Sequence, residues 1–267
     1  MERDPFEGGS DVGRDLARDL GDEPPASLRD TAPDILAPID ADAPISGHTP
    51  PRASSGSPTE TPEHDWGAAR DLIRPAFRPI GTQGLSIEAF DRDAMAAHSM
   101  TSHSQPLLDQ GPVGLPVVYT MSAGAFDIVV NGDHLLSWGI EPSELQDAAM
   151  RNLAAWSATA AWSDEVSGER RLISSDTGDG VDAVRILLPE VMAHLAQQLG
   201  PGGRVLVGIP DRHLLTAATL HADDPEFAEL FAEFVVEQSG GADEPVDRRV
   251  FELVDGRLVE FAGVGAA

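Results

Sequence analysis

The sequence predicts an α/β protein, with α+β as the alternative, in which helices pack on a single mixed sheet. Three observations predict this class. Residues 170–209 read as a strand, a polar Gly/Asp loop, an amphipathic helix and a second apolar strand, which is the pattern of a βαβ unit. Residues 117–130 contain two further strand-like runs. The chain closes on a predicted hairpin whose turn is Asp255-Gly256.

The N-terminal segment differs in composition from the rest of the chain. Residues 1–65 contain ten of the 21 prolines and many Asp, Gly and Ser residues, with Phe6 as their one aromatic residue. Such a segment cannot bury enough apolar surface to offset its conformational entropy. We therefore predict a disordered, acidic, Pro-rich tail over 1–65 and an α/β domain over 66–267.

The first half of the predicted domain begins with a helix from Gly67, which Pro75 ends or kinks. Its arginines recur at every fourth position and form a cationic stripe: Arg70, Arg74 and Arg78. Val117–Met121 and Phe126–Val130 are predicted strands because they are rich in β-branched and aromatic residues. After them, Asn131-Gly132 fits either a hairpin turn or the start of a short helix.

The second half begins with a helix over 141–156, where Pro142 suits the first turn. The βαβ unit follows, and Asp211 is predicted to cap a further helix. Asp224-Pro225-Glu226 is typical of a helix start, and the phenylalanines that follow have the spacing of a buried stripe. Gly240-Gly241 ends this helix.

Composition excludes several kinds of chemistry. The chain has no cysteine, so disulfides, thiolate nucleophiles and cysteine-bound metals are absent. All 18 basic residues are arginine, and the lack of lysine excludes a P-loop lysine, a Schiff base and a Ser-Lys dyad. The formal net charge of −27 opposes binding to nucleic acid and to anionic membranes.

The expected location is the cytoplasm. No apolar run reaches the length needed to cross a bilayer, and the acidic N-terminus lacks the apolar core of a secretory signal. The expected partners are a protein or a small molecule, with neither nucleic acid nor membrane among them.

The candidate site lies where the two strands of the βαβ unit end. Parallel strands present their carboxyl ends at one edge of a sheet, where α/β proteins bind ligands. The polar residues expected there, or in the helix start that follows the first strand, are Ser174, Ser175, Asp176, Asp179, Gly180, Asp182, Arg185, Asp211 and His213.

The 174–182 loop allows three interpretations. Its Asp and Ser residues are the residues that cap a helix start, and this structural role is favoured. A helix start also binds anions or polar ligands. Finally, Asp176, Asp179 and Asp182 supply oxygen ligands suited to calcium or magnesium, although the spacing of an EF-hand loop is absent. No cofactor is predicted apart from this possible divalent cation.

The run Arg171-Leu172-Ile173-Ser174-Ser175 with Asp179-Gly180, Asp182-Ala183 and Arg185-Ile186-Leu187 resembles the YtpQ family of uncharacterised bacterial proteins, a domain of unknown function. The resemblance extends over about 117–261. It implies an α/β arrangement and no established activity.

We expect a non-enzymatic, cytoplasmic module that binds a ligand or a protein at this sheet edge. The alternative is a hydrolase that uses the 174–182 loop with a divalent cation. A serine hydrolase built on Ser174 or Ser175 with Asp211 and His213 is disfavoured because the G-x-S-x-G pattern is absent. In a third hypothesis, the acidic tail competes with a partner for the arginine stripe.

Overall fold

The protein is described by a computed structural model that covers residues 61–97, 103–122 and 126–263. All of these residues belong to one unit of the chain. The helices in these ranges are α1 (Trp66–Ala69), α2 (Arg92–Ala97), α3 (Gly132–Trp138), α4 (Pro142–Ser157), α5 (Pro189–Leu199) and α6 (Glu226–Gly241). None of them combines the length and the apolar content that crossing a bilayer requires.

The first sheet has mixed strand directions. Its strands are β1 (Ile73–Phe77), β2 (Leu85–Ser86), β3 (Leu107–Gln110), β4 (Pro116–Ser122) and β5 (Asp127–Val129). The order is β1-β4-β3-β2, and β5 also pairs with β4. Only the β2–β3 pair is parallel among the described strands of this sheet.

The second sheet is antiparallel throughout its described strands. They are β6 (Ser163–Ser167), β7 (Arg170–Ser175), β8 (Arg204–Asp211), β9 (Leu214–Leu220), β10 (Val250–Val254) and β11 (Arg257–Glu260). The order is β11-β10-β8-β9-β7-β6. Strand β9 therefore lies between β7 and β8 and is antiparallel to both.

Two hydrophobic clusters lie on opposite faces of the second sheet. The larger cluster joins this sheet to the first sheet, α4 and α5, and it includes Val207 and Ala217. The smaller cluster packs α6 against the other face through Phe231 and Val235. Strands β8 and β9 are thus buried on both sides, as central strands between packed layers are.

The mixed helix and strand content agrees with the predicted α/β or α+β class, but the predicted single sheet is wrong because the strands form two sheets. The βαβ unit over 170–209 also needs correction. Strands β7 and β8 run in the same direction with α5 between them in sequence, yet each hydrogen-bonds to β9 instead of to the other. A strand inserted between them was not predicted.

The predicted helix from Asp211 is in fact the turn into β9. Asp211 Oδ1 accepts a hydrogen bond from the backbone N–H of His213 at 2.5 Å, which is turn chemistry of the kind that also resembles a helix cap. Residues 215–220 are all buried. Hydrophobic periodicity cannot distinguish a strand buried on both faces from a buried helix.

The predicted helix from Gly67 is also mostly wrong. Helix α1 ends at Ala69, and Ile73–Phe77 form β1. Pro75 lies within this strand, opposite Tyr119. The strand is at the edge of its sheet, where a residue without an N–H group is tolerated.

Other elements agree with the sequence. Strands β4 and β5 form an antiparallel pair, and α4 and α6 occupy the predicted segments. Asn131 caps α3, which resolves the choice between a hairpin and a helix there. The closing hairpin has positive φ at both Asp255 (48°) and Gly256 (72°), as a tight two-residue turn requires.

The predicted disordered tail lies outside the described residues from 1 to 60. Residues 61–65 are described and contact the domain. Trp138 Nε1 donates to the carbonyl oxygen of Pro62 at 2.8 Å, and Asp65 caps α1 by accepting from the N–H of Gly67 at 2.9 Å.

Candidate functional site

The loop 176–182, which follows β7, contacts the turn 211–213, which follows β8. The N–H of Ala183 donates to the carbonyl oxygen of Arg212 at 3.2 Å, and Arg212 Nε donates to the carbonyl oxygen of Gly180 at 3.0 Å. The contact arises because β7 and β8 run in the same direction and end at the same sheet edge. The edge inferred from the sequence therefore exists, although β9 separates the two strands.

Asp182 is the centre of a buried hydrogen-bond network behind this edge. It is 0% exposed. Its carboxylate accepts hydrogen bonds from Ser175 Oγ (2.7 Å), from both the N–H and the hydroxyl of Thr177 (3.0 Å each) and from the N–H of Gly178 (3.1 Å). Each acceptor position of a buried carboxylate needs such a partner, because an ionised group without partners is costly to bury. The network thus folds the loop around Asp182.

Arg185 completes this network and is also 0% exposed. Its guanidinium forms ion pairs with Asp182 and Asp179 and donates to Ser175 Oγ at 3.0 Å. Within the described chain, Arg185 Nε has no hydrogen-bond partner. We call the buried residues Ser175, Asp182 and Arg185, together with Asp179 at their exposed edge, the buried ion cluster.

The nine site residues predicted from the sequence lie in three different environments. Four are buried within the fold: Ser174, Ser175, Asp182 and Arg185. Three line a pocket at the sheet edge: Asp179, Gly180 and His213. Asp176 is exposed and Asp211 is half-buried, and neither lines the pocket. The hydroxyl of Ser174 donates to Thr216 Oγ1 at 3.0 Å, so it is used inside the sheet.

The three carboxylates suggested for a divalent cation do not form a coordination shell. Asp179 and Asp182 do come together, but the guanidinium of Arg185 occupies the position between them. Asp179 Oδ1 also accepts from the N–H of Val181 at 3.0 Å. In the described ranges, no group of three or more His, Asp or Glu residues is arranged to hold a metal ion.

The pocket has a volume of about 450 Å³ and lies where residues of the two sheets meet. This volume is within the usual range for sites that bind small molecules. Its lining includes three arginines and three acidic residues: Arg74, Arg78, Arg212, Asp127, Asp179 and Glu244. Strands β1 and β5 supply one side, and the loop and the turn at the edge of the second sheet supply the other.

Asp127 joins two of these arginines. Its Oδ1 pairs with Arg74 Nη2 at 2.5 Å, and its Oδ2 pairs with Arg212 Nη2. Burial alone would raise the pKa of Asp127, but the hydrogen bonds and charges of Arg212 and Arg74 outweigh burial and hold this pKa below its usual value. Asp127 is therefore ionised, and its ion pair with Arg212 links β5 to the turn after β8.

Arg212 is held from several directions. Burial would lower its pKa, but the Asp127 and Glu244 carboxylates more than compensate and raise it. The Arg212 Nη1 atom lies 3.0 Å from Glu244 Oε2, and the N–H of Arg212 donates to the carbonyl oxygen of Glu244 at 3.1 Å. The same Glu244 oxygen lies 3.7 Å from His213 Nε2. These contacts fix Arg212 in the pocket wall.

Arg78 differs from the other two pocket arginines. Its Nη1 makes one long hydrogen bond, 3.4 Å to the carbonyl oxygen of Phe77. No carboxylate in the described part of the chain lies within 4.0 Å of its side-chain nitrogens. Burial lowers the pKa of Arg78, and the nearby charge of Arg212 lowers it further, while Glu244 and Asp127 raise it. A half-buried cation therefore faces the pocket without a direct ion-pair partner among the described residues.

Phe126 lies beside these charged groups and is 66% exposed. Phenylalanines elsewhere in the fold, such as Phe77 and Phe251, are almost fully buried. The next residue is Asp127, whose ion pairs with Arg74 and Arg212 hold the chain beside Phe126.

Sequence reasoning missed several pocket residues. Asp127, Glu244 and Phe126 were not predicted as site residues, and neither was Arg212, which lies between the predicted residues Asp211 and His213. The regular spacing of Arg74 and Arg78 was noticed but was assigned to a helix. In an extended chain, residues four apart also lie on one side, because side chains alternate with a period of two.

Comparisons with known proteins give no match: no protein-family model, no curated protein and no solved structure is similar to this chain. The resemblance to the YtpQ family therefore stays a prediction from residues 171–187 and the surrounding pattern.

Proposed function

We propose that this protein is a binding module whose pocket takes a small anionic molecule. The observation that carries the proposal is Arg78, a half-buried guanidinium that faces the pocket with no carboxylate within 4.0 Å among the described residues. Removing a cation from water is costly unless an opposite charge or hydrogen bonds compensate it. An anionic ligand supplies that compensation.

The neighbouring charges support a ligand held by Arg78 in particular. Arg74 and Arg212 are both engaged by Asp127, and Arg212 is also engaged by Glu244. Their guanidinium groups are thereby held in place before a ligand arrives, which reduces the entropy lost on binding. Arg78 is then the residue whose charge is available to a ligand.

The geometry favours binding over hydrolysis assisted by a divalent cation. Arg185 fills the space between Asp179 and Asp182, and the hydroxyl of Ser175 is bonded inside the same cluster. A cation-assisted reaction at the 174–182 loop would first require these internal bonds to break. The cytoplasmic location and a protein partner remain predictions from the sequence.

The proposal is tested by titrating the full chain with acetate, benzoate, inorganic phosphate and sulfate, using isothermal calorimetry and thermal unfolding at constant ionic strength. We expect at least one of these anions to bind and to raise the melting temperature, because a ligand that binds only the native state stabilises it. Arg78→Met should weaken that binding by at least about tenfold, as expected when a charge-assisted contact is lost.

Arg151→Met is the matched control. Arg151 is an exposed residue of α4 that makes no ion pair among the described residues and does not line the pocket, so this variant removes the same charge elsewhere. It should bind as the wild type does. The proposal is wrong if none of the four anions binds, or if Arg78→Met and Arg151→Met have the same effect.

A further inference from the structure

We infer that the ligand is a monoanionic carboxylic acid with a planar apolar group, whose carboxylate pairs with Arg78 and whose planar group lies against Phe126. This inference rests on the proposed anion-binding function and narrows it to one class of ligand. Three features of the pocket lead to it.

The first feature is the number of charges. Three carboxylates line the pocket, those of Asp127, Asp179 and Glu244, and one guanidinium, that of Arg78, lacks a carboxylate within 4.0 Å in the described chain. A ligand with one negative charge matches that guanidinium. Among the described lining residues, the other arginines are already paired with carboxylates, so a second negative charge on the ligand would be repelled by the three carboxylates without a free cation to offset it. The net charge of −27 adds to this repulsion.

The second feature is the free edge of the Arg78 guanidinium. Its one hydrogen bond within the described chain is the long contact from Nη1 to the backbone of Phe77. Its Nε and Nη2 atoms make no hydrogen bond to the described residues, and Arg78 lines the pocket. These two atoms form the edge that binds a planar carboxylate through two parallel hydrogen bonds.

The third feature is the exposed ring of Phe126. A large aromatic side chain with 66% of its surface exposed offers an apolar face that the fold itself does not cover. Backbone pairing between Ser122 and Asp127 and the ion pairs of Asp127 fix the chain next to it. A planar ring on the ligand gains stacking and burial against this side chain, which corresponds to roughly 3- to 10-fold in affinity.

The experiment compares four ligands on the full chain at pH 8 by isothermal calorimetry: acetate, benzoate, cyclohexanecarboxylate and phenyl phosphate. Acetate has the charge without the ring, cyclohexanecarboxylate has an apolar ring that is not planar, and phenyl phosphate has the planar ring with a charge near −2. We expect benzoate to bind tightest, roughly 3- to 10-fold tighter than acetate. Phenyl phosphate should bind more weakly than benzoate.

Single substitutions test the ligand's contact with Phe126 and its contact with Arg78 separately. Phe126→Ala should remove the preference for benzoate over acetate and leave acetate affinity within about twofold, since only the stacking contact is lost. Arg78→Met should weaken both acids together. Val166→Ala is the control, because Val166 is equally exposed (67%) but does not line the pocket, and this variant should behave as the wild type does.

The outcomes separate the inference from the proposed function. If none of the carboxylates, the phosphates or sulfate binds the wild type, both are wrong. If anions bind through Arg78 but benzoate and acetate bind equally, or Phe126→Ala keeps the preference, only the inference is wrong. Tighter binding of phenyl phosphate or of cyclohexanecarboxylate than of benzoate would also overturn it.

Discussion

Two arginines near the same loop have opposite surroundings. Arg185 is fully enclosed and is bonded to Asp179, Asp182 and Ser175. Arg78 lies on the pocket side and has no ion-pair partner in the described chain. Arg185 therefore holds the loop in place through its ion pairs, whereas the guanidinium of Arg78 remains available to pair with a ligand.

Asp179 connects the two environments. Its carboxylate pairs with Arg185 in the buried ion cluster, and its carbonyl oxygen accepts a hydrogen bond from Arg74 Nη1 at 3.1 Å. The cluster therefore affects the pocket indirectly, because it fixes the position of Asp179, which lines the pocket.

The largest expected effect tests the structural role of Arg185. Arg185→Met should lower the free energy of unfolding by about 3–5 kcal/mol, because it leaves the carboxylate of Asp182 buried without its counter-charge. Arg78→Met is the matched substitution, and it should change stability by less than about 1 kcal/mol because it breaks no ion pair within the described residues. Urea unfolding followed by circular dichroism measures both. Equal costs for the two variants would contradict the comparison.

A smaller effect is expected at Asp127, which supports the pocket arginines. Asp127→Asn should cost about 2–3 kcal/mol near pH 7, because Arg74 and Arg212 both lose a partner at a carboxylate that is only 12% exposed. Asp164→Asn serves as the control. Asp164 pairs with Arg171 at an exposed position, so its loss should cost less than about 1 kcal/mol.

The loss of unfolding free energy caused by Asp127→Asn should become smaller as the pH falls. The folded-state pKa of Asp127 lies below its usual value, so the stabilisation is fully present above the unfolded pKa, about 3.9. It is lost as the pH falls through the folded pKa. Urea unfolding of the wild type and Asp127→Asn from pH 7 down to pH 2 should show the two stabilities converging below about pH 4. A constant difference over this range would contradict the ion-pair explanation.

The smallest expected effect separates backbone strain from contact with Arg212 at two glycines that both line the pocket. Gly178 and Gly180 both have positive φ, 70° and 78°, so alanine should cost about 1 kcal/mol at either position. A Cβ atom at position 180 would lie 2.9 Å from Arg212 Nη2, whereas one at position 178 would meet nothing within 4 Å. Gly180→Ala should therefore also weaken benzoate binding, and Gly178→Ala should not. Calorimetric titration of both variants tests this, and equal affinities would mean that the position of Arg212 in the pocket wall does not affect binding.

Local signals in the sequence were sufficient to predict several helices and turns. Pro142 in the first turn of α4, Asp224-Pro225 before α6 and Asp255-Gly256 in the closing hairpin each determine structure through their own backbone preferences. Strand β9 lacks such a signal. Its alanines and leucines are buried on both faces, so neither a period of two nor a period of 3.6 stands out.

The pocket was only partly predictable for a related reason. Asp179, Gly180 and His213 were found because strand ends are expected to collect polar residues. Asp127 and Glu244 were missed because their partners are far away in sequence, as in the pair of Asp127 with Arg212. The position of the first sheet against this edge cannot be read from local patterns.

The pocket draws its wall from positions as distant as 74 and 244. A fragment limited to the second sheet would lack both Arg74 and Arg78, and one limited to the first sheet would lack Arg212 and Glu244. A bound acid would thus contact both sheets at once, and its affinity would report whether the two sheets have come together.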